Sequence, residues 1–285
     1  MVEKTLNDAY KGARGVLAAG GVEDAEFDAR VLVELVTGKD PRVSPDAPVS
    51  DAEAGALDKM IRLRAARYPL QYLCGTWDFM DFTLCVGKGV LIPRADTEIV
   101  AQTAIDYLAA ANSDNSSISA LDLCSGTGAI AIALARAVPA ASVYAAELSD
   151  DAYIYLEKNI AALAPRIHAI KADVLHLQDA LRAESFDIIV SNPPYVTPDE
   201  MNALSPELAY EPRMALCDEH DGLSFYRHIA AAYLPKLKHG GRMVFEIGSN
   251  QADAVCQTLY TCGYGSIEVI EDYASNPRCV TAQRV

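Results

Sequence analysis

Leu121-Asp122-Leu123-Cys124-Ser125-Gly126-Thr127-Gly128-Ala129-Ile130-Ala131 is the stretch from which the fold can be read. Ile118 to Leu123 is apolar enough for a buried strand, and Ala129 to Val138 is a run of strong helix formers that Pro139 ends. The small residues between them predict a strand–turn–helix junction at which a nucleotide can approach the main chain. A second strand, Ser142 to Ala146, leads to Glu147, about 20 residues past the last glycine, where a carboxylate can accept from both hydroxyls of a ribose. Gly126-Thr127-Gly128-Ala129-Ile130-Ala131 also fits the dinucleotide fingerprint with alanine in third place. Taken alone, the motif serves a nicotinamide cofactor and S-adenosylmethionine equally, and a tight strand–helix turn with no ligand is the plain alternative.

Working outward, strands near 118–123, 142–147, 167–172, 186–191, 241–247, 266–271 and 278–283 alternate with helical stretches. Such alternation predicts a parallel sheet covered on both faces. The fold expected is α/β: a doubly wound, mostly parallel, seven-stranded Rossmann-like sheet with a smaller N-terminal helical domain. Its parts are a helical domain over 1–74, a hairpin linker over 75–95 and the sheet domain over 96–285.

In the helical part, Asn7 to Ala19 reads as a helix stopped by Gly20-Gly21. The next starts near Asp24, with Phe27, Val31, Leu32, Leu35 and Val36 as its apolar face, and Gly38 and Pro41 close it. Ser50-Asp51-Ala52-Glu53 is a capping box opening a helix that buries Leu57, Met60 and Ile61, with Leu63 or Ala65 as a further inward residue. The basic residues Lys59, Arg62, Arg64 and Arg67 read as a solvated face that complements the C-terminal end of the helix dipole, with a partner site as the lesser alternative. Trp77, Phe79, Phe82, Leu84 and Val86 have hairpin spacing, Asp96 to Ala111 is helical and Asn112 to Ser117 is a polar linker. Lys238-His239-Gly240-Gly241 reads as the turn into the fifth strand.

The net charge of −15 disfavours free nucleic acid, whose binding depends on neutralising phosphates. Seven cysteines, an odd number with no Cys-x-x-Cys pair, read as reduced packing residues of a cytoplasmic protein. The five histidines show no zinc-ligand spacing, so no metal is expected. The polar stretch Glu3 to Arg14 has no signal-peptide character, and no stretch approaches the ~20 apolar residues of a membrane span. A soluble monomer is expected.

A second motif decides between the chemistries. Phe186-Asp187-Ile188-Ile189-Val190-Ser191 reads as a buried strand, and Asn192-Pro193-Pro194-Tyr195 follows it. Two prolines cannot continue a central strand, but they stiffen the exit from it, because each fixes its own φ and extends the residue before it. The Asn192 side chain and the Pro193 carbonyl are thereby held in fixed directions at a strand's C-terminal end, where open α/β sheets bind ligands. Two fixed acceptors beside an aromatic ring suit a planar –NH2 group. The plain alternative is a Pro-rich exit from a strand. In a doubly wound order the first and fourth strands are neighbours, so both motifs open onto one crevice. A ribose-binding acid, a glycine turn and an amide clamp favour methyl transfer, since hydride transfer has no use for the clamp. A dehydrogenase and a non-catalytic binding module are the lesser alternatives.

The chain resembles the protein-glutamine methyltransferases that modify peptide chain release factors. The resemblance rests on Asp122 to Ala131 and Val190 to Tyr195. It extends to Pro69-Leu70-Gln71-Tyr72, Val90-Leu91-Ile92-Pro93-Arg94, Asp96-Thr97-Glu98, Glu211-Pro212-Arg213 and Asp221-Gly222-Leu223 with Phe225-Tyr226. It implies S-adenosylmethionine held by Cys124, Ser125, Gly126, Thr127, Gly128, Glu147, Asp173, Val174 and Asn192, the Asp173-Val174 pair lying near the adenine. It implies a substrate glutamine held by Asn192, Pro193, Pro194 and Tyr195, with Asn192, Pro193 and Tyr195 serving catalysis, and a release factor as partner. DNA and RNA amino-methyltransferases share Asn-Pro-Pro-Tyr and are the alternative. Cys124 stands where many methyltransferases have glycine, Glu147 replaces the commoner Asp, and Val174 lies where relatives can have an aromatic. Cys217-Asp218-Glu219-His220 lacks the glycines expected before Asp221-Gly222.

Overall fold

The computed structural model describes residues 4–111 and 117–285, so the predicted linker lies, apart from Ser117, outside the described residues. The chain forms two units, Met1–Thr76 with Ser205–Tyr210, and Trp77–Leu204 with Glu211–Val285.

The first unit holds α1 (Leu6–Ala19), α2 (Ala25–Thr37), α3 (Asp51–Ala65) and α4 (Leu70–Cys74). Thr5 and Asp8 form a capping box on α1, Asp24 caps α2, Gly38 ends α2 in the left-handed region (φ 68°), and Ser50 and Glu53 form the expected box on α3. Two expectations need correction. The buried face of α2 is Ala25, Asp28, Ala29, Leu32 and Val33, while Phe27 and Leu35 are exposed. Small residues there let the helices approach closely, and Arg30 lies over the outward Phe27 ring at 5.2 Å. The basic cluster is not uniformly solvated either. Arg64 is buried between Asp28 and Glu207, its Nη1 lying 2.9 Å from the Glu207 carboxylate, which Arg67 also grips at 2.8 Å.

The second unit begins with the hairpin strands β1 (Thr76–Phe79) and β2 (Phe82–Cys85), followed by α5 (Ala95–Ala111). Then come β3 (Ser119–Leu123), α6 (Ala129–Ala137), β4 (Ser142–Glu147), α7 (Asp150–Leu163), β5 (His168–Lys171), α8 (Val174–Leu177) and β6 (Phe186–Ser191). The chain finishes with α9 (Arg213–Leu216), α10 (Ser224–Tyr233), β7 (Leu237–Glu246), α11 (Ala252–Thr261), β8 (Tyr264–Glu271) and β9 (Pro277–Arg284).

Seven strands form one sheet in the order β5-β4-β3-β6-β7-β9-β8. The pairings from β5 to β7 are parallel, and β9 is antiparallel to both β7 and β8. The switch point lies between β3 and β6, because β4 and β5 extend the sheet on one side and β7 on the other. Period-two alternation splits the core. Ala120, Ile188, Val190 and Val244 face α5 and α6, while Leu121, Leu123, Ile189, Met243 and Phe245 face α10 and α11. Lys238 to Gly241, read above as a turn, is instead a bulge within β7: its register against β6 jumps between Leu237 and Arg242. Among the described residues all seven cysteines are free, no acid–histidine–cysteine cluster could hold a metal, and no helix is long and apolar enough to cross a membrane.

Candidate active site

The site lies where β3, β4, β6 and β7 end. β3 delivers the chain into a turn in which Cys124 (φ 60°), Gly126 (φ 53°) and Gly128 (φ 83°) are left-handed. The Ser125 N–H donates to the Ala146 carbonyl (3.0 Å), its hydroxyl to the Asp122 carbonyl (2.9 Å), and the Gly128 N–H to the Ser125 carbonyl (2.7 Å). A Cβ on Gly128 would lie 2.7 Å from Leu156 Cδ1, so a side chain here would have to displace that buried methyl where α6 starts against α7. The left-handed Cys124 accounts for the glycine common there: a side chain costs about 1 kcal/mol in that conformation.

Two carboxylates flank the turn. Glu147, buried at the end of β4, accepts from the Gly126 N–H (2.8 Å) and the Ser149 N–H (2.7 Å), one on each oxygen. Asp122 accepts from the Ala131 N–H (3.2 Å) through Oδ2, while Oδ1 is buried and has no hydrogen-bond partner among the described residues. Burial, with a smaller push from the Glu147 charge, raises the Asp122 carboxyl to about 7. Beyond β5, Asp173 caps α8 by accepting from the Leu175 N–H (2.9 Å), and Val174 is buried.

At the end of β6, Ser191 donates its hydroxyl to the Leu123 carbonyl (2.9 Å), tying the exits of β6 and β3 together. Asn192 is half-buried, and Pro193 and Pro194 are buried. The Asn192 Nδ2 sits 3.5 Å from Thr97 Oγ1, whose hydroxyl donates to Glu246 Oε2 at 2.7 Å. Burial raises the Glu246 carboxyl to about 7, against the opposing hydrogen bond from Thr97 and the Arg278 charge. The Tyr195 ring packs toward the α10–α11 face of the core, and desolvation raises its phenol above the ordinary range.

Part of this set borders a cavity of about 530 Å³. Of the residues read from sequence, Cys124, Ser125, Gly126, Thr127, Glu147, Asp173, Val174, Asn192 and Pro194 line it; Gly128, Pro193 and Tyr195 do not. One wall is Leu91 to Pro93, fixed by Glu211, which accepts from the Ile92 N–H (2.9 Å) and pairs with Arg94. Another wall includes Cys217 to Glu219, where Glu219 itself adopts the left-handed conformation (φ 59°) in the loop that lacks the expected glycines. Sequence reasoning missed the bare oxygen of Asp122, and it missed Thr97 and Glu246 as neighbours of Asn192. Two signals existed: Asp122 interrupts an apolar strand, and Glu246 ends the apolar run Met243-Val244-Phe245.

Residues 8–75 match the PrmC N-terminal domain family, and residues 100–214 match the methyltransferase small domain family. The chain is 36% identical to the release factor glutamine methyltransferase of Moorella thermoacetica, over 98% of this chain and 99% of the relative. It is 35% identical to the enzyme of the same name from Geobacter sulfurreducens, over 91% of this chain and 90% of the relative. Among solved structures, the hMettl16 catalytic domain in complex with a 3′UTR hairpin aligns with a TM-score of 0.55 at 16% identity, over 83% of each chain. A methyltransferase from Pyrococcus furiosus aligns with a TM-score of 0.51 at 15% identity, over 80% of this chain and 98% of that one. Identities that low speak for the fold alone. Full-length similarity to the curated relatives, on a methyltransferase sheet with a helical N-terminal unit, shows that the chain belongs to the release factor glutamine methyltransferase family.

Proposed function

We propose that this protein transfers the methyl group of S-adenosylmethionine to the side-chain amide nitrogen (N5) of a glutamine in a peptide chain release factor. One arrangement carries the reading: Asn192 and the turn Cys124 to Thr127 line the same cavity, at the C-terminal ends of neighbouring parallel strands. The relatives named for this activity align over almost the whole chain, which supports the same substrate.

The cavity suits the methyl donor. Its volume falls in the range of small-molecule sites, about 300–1,000 Å³. The bare Oδ1 of Asp122 is an acceptor fit for an ammonium group. Glu147 keeps a lone pair on each oxygen after accepting its two main-chain N–H groups, enough for a ribose diol. Val174 gives the adenine an apolar wall, and Asp173 lies next to it.

When bound, S-adenosylmethionine supplies a methyl group carried on a positive sulfur. Everything else falls to the protein. An amide nitrogen is a poor nucleophile because its lone pair is delocalised into the carbonyl. In this reading the Asn192 oxygen and the Pro193 carbonyl each accept one amide N–H, which fixes the group and favours electron density on nitrogen. Tyr195, whose ring packs toward the core and not into the cavity, anchors the strand exit that carries the two acceptors. As nitrogen becomes positive its protons become more acidic, so both acceptors bind the transition state better than the ground state. Orientation alone contributes several kcal/mol, roughly 7 at the low end of well-aligned intramolecular reactions. No strong base is needed before transfer, because the proton leaves afterwards. A glutamine side chain offers too little area to select one protein, so partner selection falls partly to the N-terminal helices.

Labelled S-adenosylmethionine, purified release factor and its glutamine-to-alanine variant test this directly, with DNA and RNA assayed alongside. The expected result is label on the wild-type release factor only. Label on nucleic acid but not on protein would overturn the reading in favour of an amino-methyltransferase, and equal labelling of the glutamine-to-alanine variant would overturn the site.

A further inference from the structure

We propose that Thr97 and Glu246 are positioning residues that preset the Asn192 carboxamide, its –NH2 turned toward the sheet and its oxygen toward the cavity. The inference rests on the amide-clamp reading above and adds a mechanism that selects the clamp's orientation.

The three residues come from the first turn of α5, the exit of β6 and the end of β7, and Thr97 and Glu246 are 6% and 2% exposed. A buried hydroxyl–carboxylate pair is a poor way to stabilise a core, since apolar residues of similar volume commonly do as well or better. What the pair does is define hydrogen-bond polarity. The single Thr97 proton goes to Glu246 (2.7 Å), so Thr97 Oγ1 presents only lone pairs to Asn192. An ionised Glu246 is an acceptor only. The two ends of a carboxamide are nearly equal in shape, and only the –NH2 end is compatible with these neighbours. The flipped rotamer would direct donors at a substrate –NH2, which itself offers only donors. Orientation of Asn192 is therefore the difference between a clamp and a repulsive contact.

The same geometry makes the clamp sensitive to protonation. A protonated Glu246 can donate to Thr97, which frees the threonine hydroxyl to donate to the Asn192 oxygen and reverse the carboxamide. The groups facing Glu246 are Asp96 on α5, Arg278 and Cys279 on β9, Tyr195 at the β6 exit and Tyr226 on α10. Arg278 is the cation of that set, and Asp96 shares its charge at 3.3 Å. Burial dominates, and the carboxyl is pushed up to about 7. Turnover is therefore expected to rise with pH across the neutral range.

The test uses the full-length enzyme with release factor as substrate and S-adenosylhomocysteine as the binding probe. Thr97→Val is expected to lower kcat about 10- to 100-fold, the scale of a misplaced reacting group, with the S-adenosylhomocysteine Kd unchanged within about twofold. Thr97→Ser restores the hydroxyl and is expected to recover most of the rate. Glu246→Gln is expected to flatten the rise in kcat between about pH 6 and 8. In an Asn192→Ala background, Thr97→Val should have no further effect, whereas a merely structural role would lower the rate of both proteins alike. Thr97→Val turning over at the wild-type rate, or an equal loss in both backgrounds, overturns the inference while leaving the clamp intact. Asn192→Ala turning over normally overturns the clamp itself.

Discussion

Glu147→Ala separates two roles that one carboxylate fills at once. Each oxygen already accepts a main-chain N–H, from Gly126 at 2.8 Å and from Ser149 at 2.7 Å, in a side chain that is 8% exposed. The same oxygens are proposed to hold the ribose hydroxyls. Hydrogen bonds to a charged group contribute about 1.5–3 kcal/mol each. Both N–H groups are only partly buried, so water entering the vacated space recovers part of that. A net loss of about 2–3 kcal/mol in stability is expected, read as a lower urea midpoint at constant slope. Ligand binding then resolves the roles. An S-adenosylhomocysteine analogue lacking both ribose hydroxyls reports the turn alone, and its affinity should fall about tenfold as the turn relaxes, equivalent to about 1.4 kcal/mol. Intact S-adenosylhomocysteine loses the diol contacts as well and should weaken about 100-fold or more by calorimetry. Stability within about 0.5 kcal/mol of wild type, with unchanged binding of the deoxy analogue, would refute the idea that Glu147 holds the turn.

Asn192→Ala should lower kcat by about 2–4 kcal/mol of transition-state energy and leave S-adenosylhomocysteine affinity nearly unchanged; loss of cofactor affinity alone would make Asn192 a cofactor ligand instead. Gly128→Ala combines φ 83° with a 2.7 Å approach to Leu156 Cδ1 and should destabilise by about 2–4 kcal/mol. Gly126→Ala, where the nearest atom is Val90 Cγ2 at 3.9 Å, should lose only about 1 kcal/mol, and equal losses in denaturant titrations would contradict the packing argument. Arg64→Ala strands the buried Asp28 without its partner, while Glu207 keeps Arg67, and should destabilise the helical unit by about 3–5 kcal/mol, measured by hydrogen exchange in α2 and α3. Asp122 and Glu246 both have carboxyls raised to about 7, so the folded state binds more protons than the unfolded chain above their ordinary values near 4. Their contribution to stability therefore declines as pH rises from about 4 through 7, and the melting temperature of the ligand-free protein should decline with it. Asp122→Asn with Glu246→Gln should flatten that slope, and an unchanged slope would show that these carboxyls titrate normally.

The parts of this molecule legible in its sequence are those specified by neighbours along the chain. Gly20-Gly21, Asp24, Gly38 and the Ser50–Glu53 box mark helix ends through local main-chain hydrogen bonds, and the helices end where those signals stand. The glycine turn and Asn192-Pro193-Pro194-Tyr195 are legible for the same reason: φ restrictions and strand exits are local. Partners far apart in sequence were not legible. The buried face of α2 was misassigned because Phe27 and Leu35 carry more apolar surface than Ala25 and Ala29, while the polar residue that belongs inside, Asp28, is admitted by Arg64, 36 positions away. Thr97 and Glu246 are separated by 149 positions, and neither spacing nor composition links them. What links them is strand order. Once β7 pairs with β6 in the register Ser191 to Phe245, residue 246 ends one strand away from residue 192. The first turn of α5 supplies the hydroxyl between them. A motif read along the chain therefore names the group proposed to touch substrate, while the groups proposed to orient it become visible only through the order and register of the sheet.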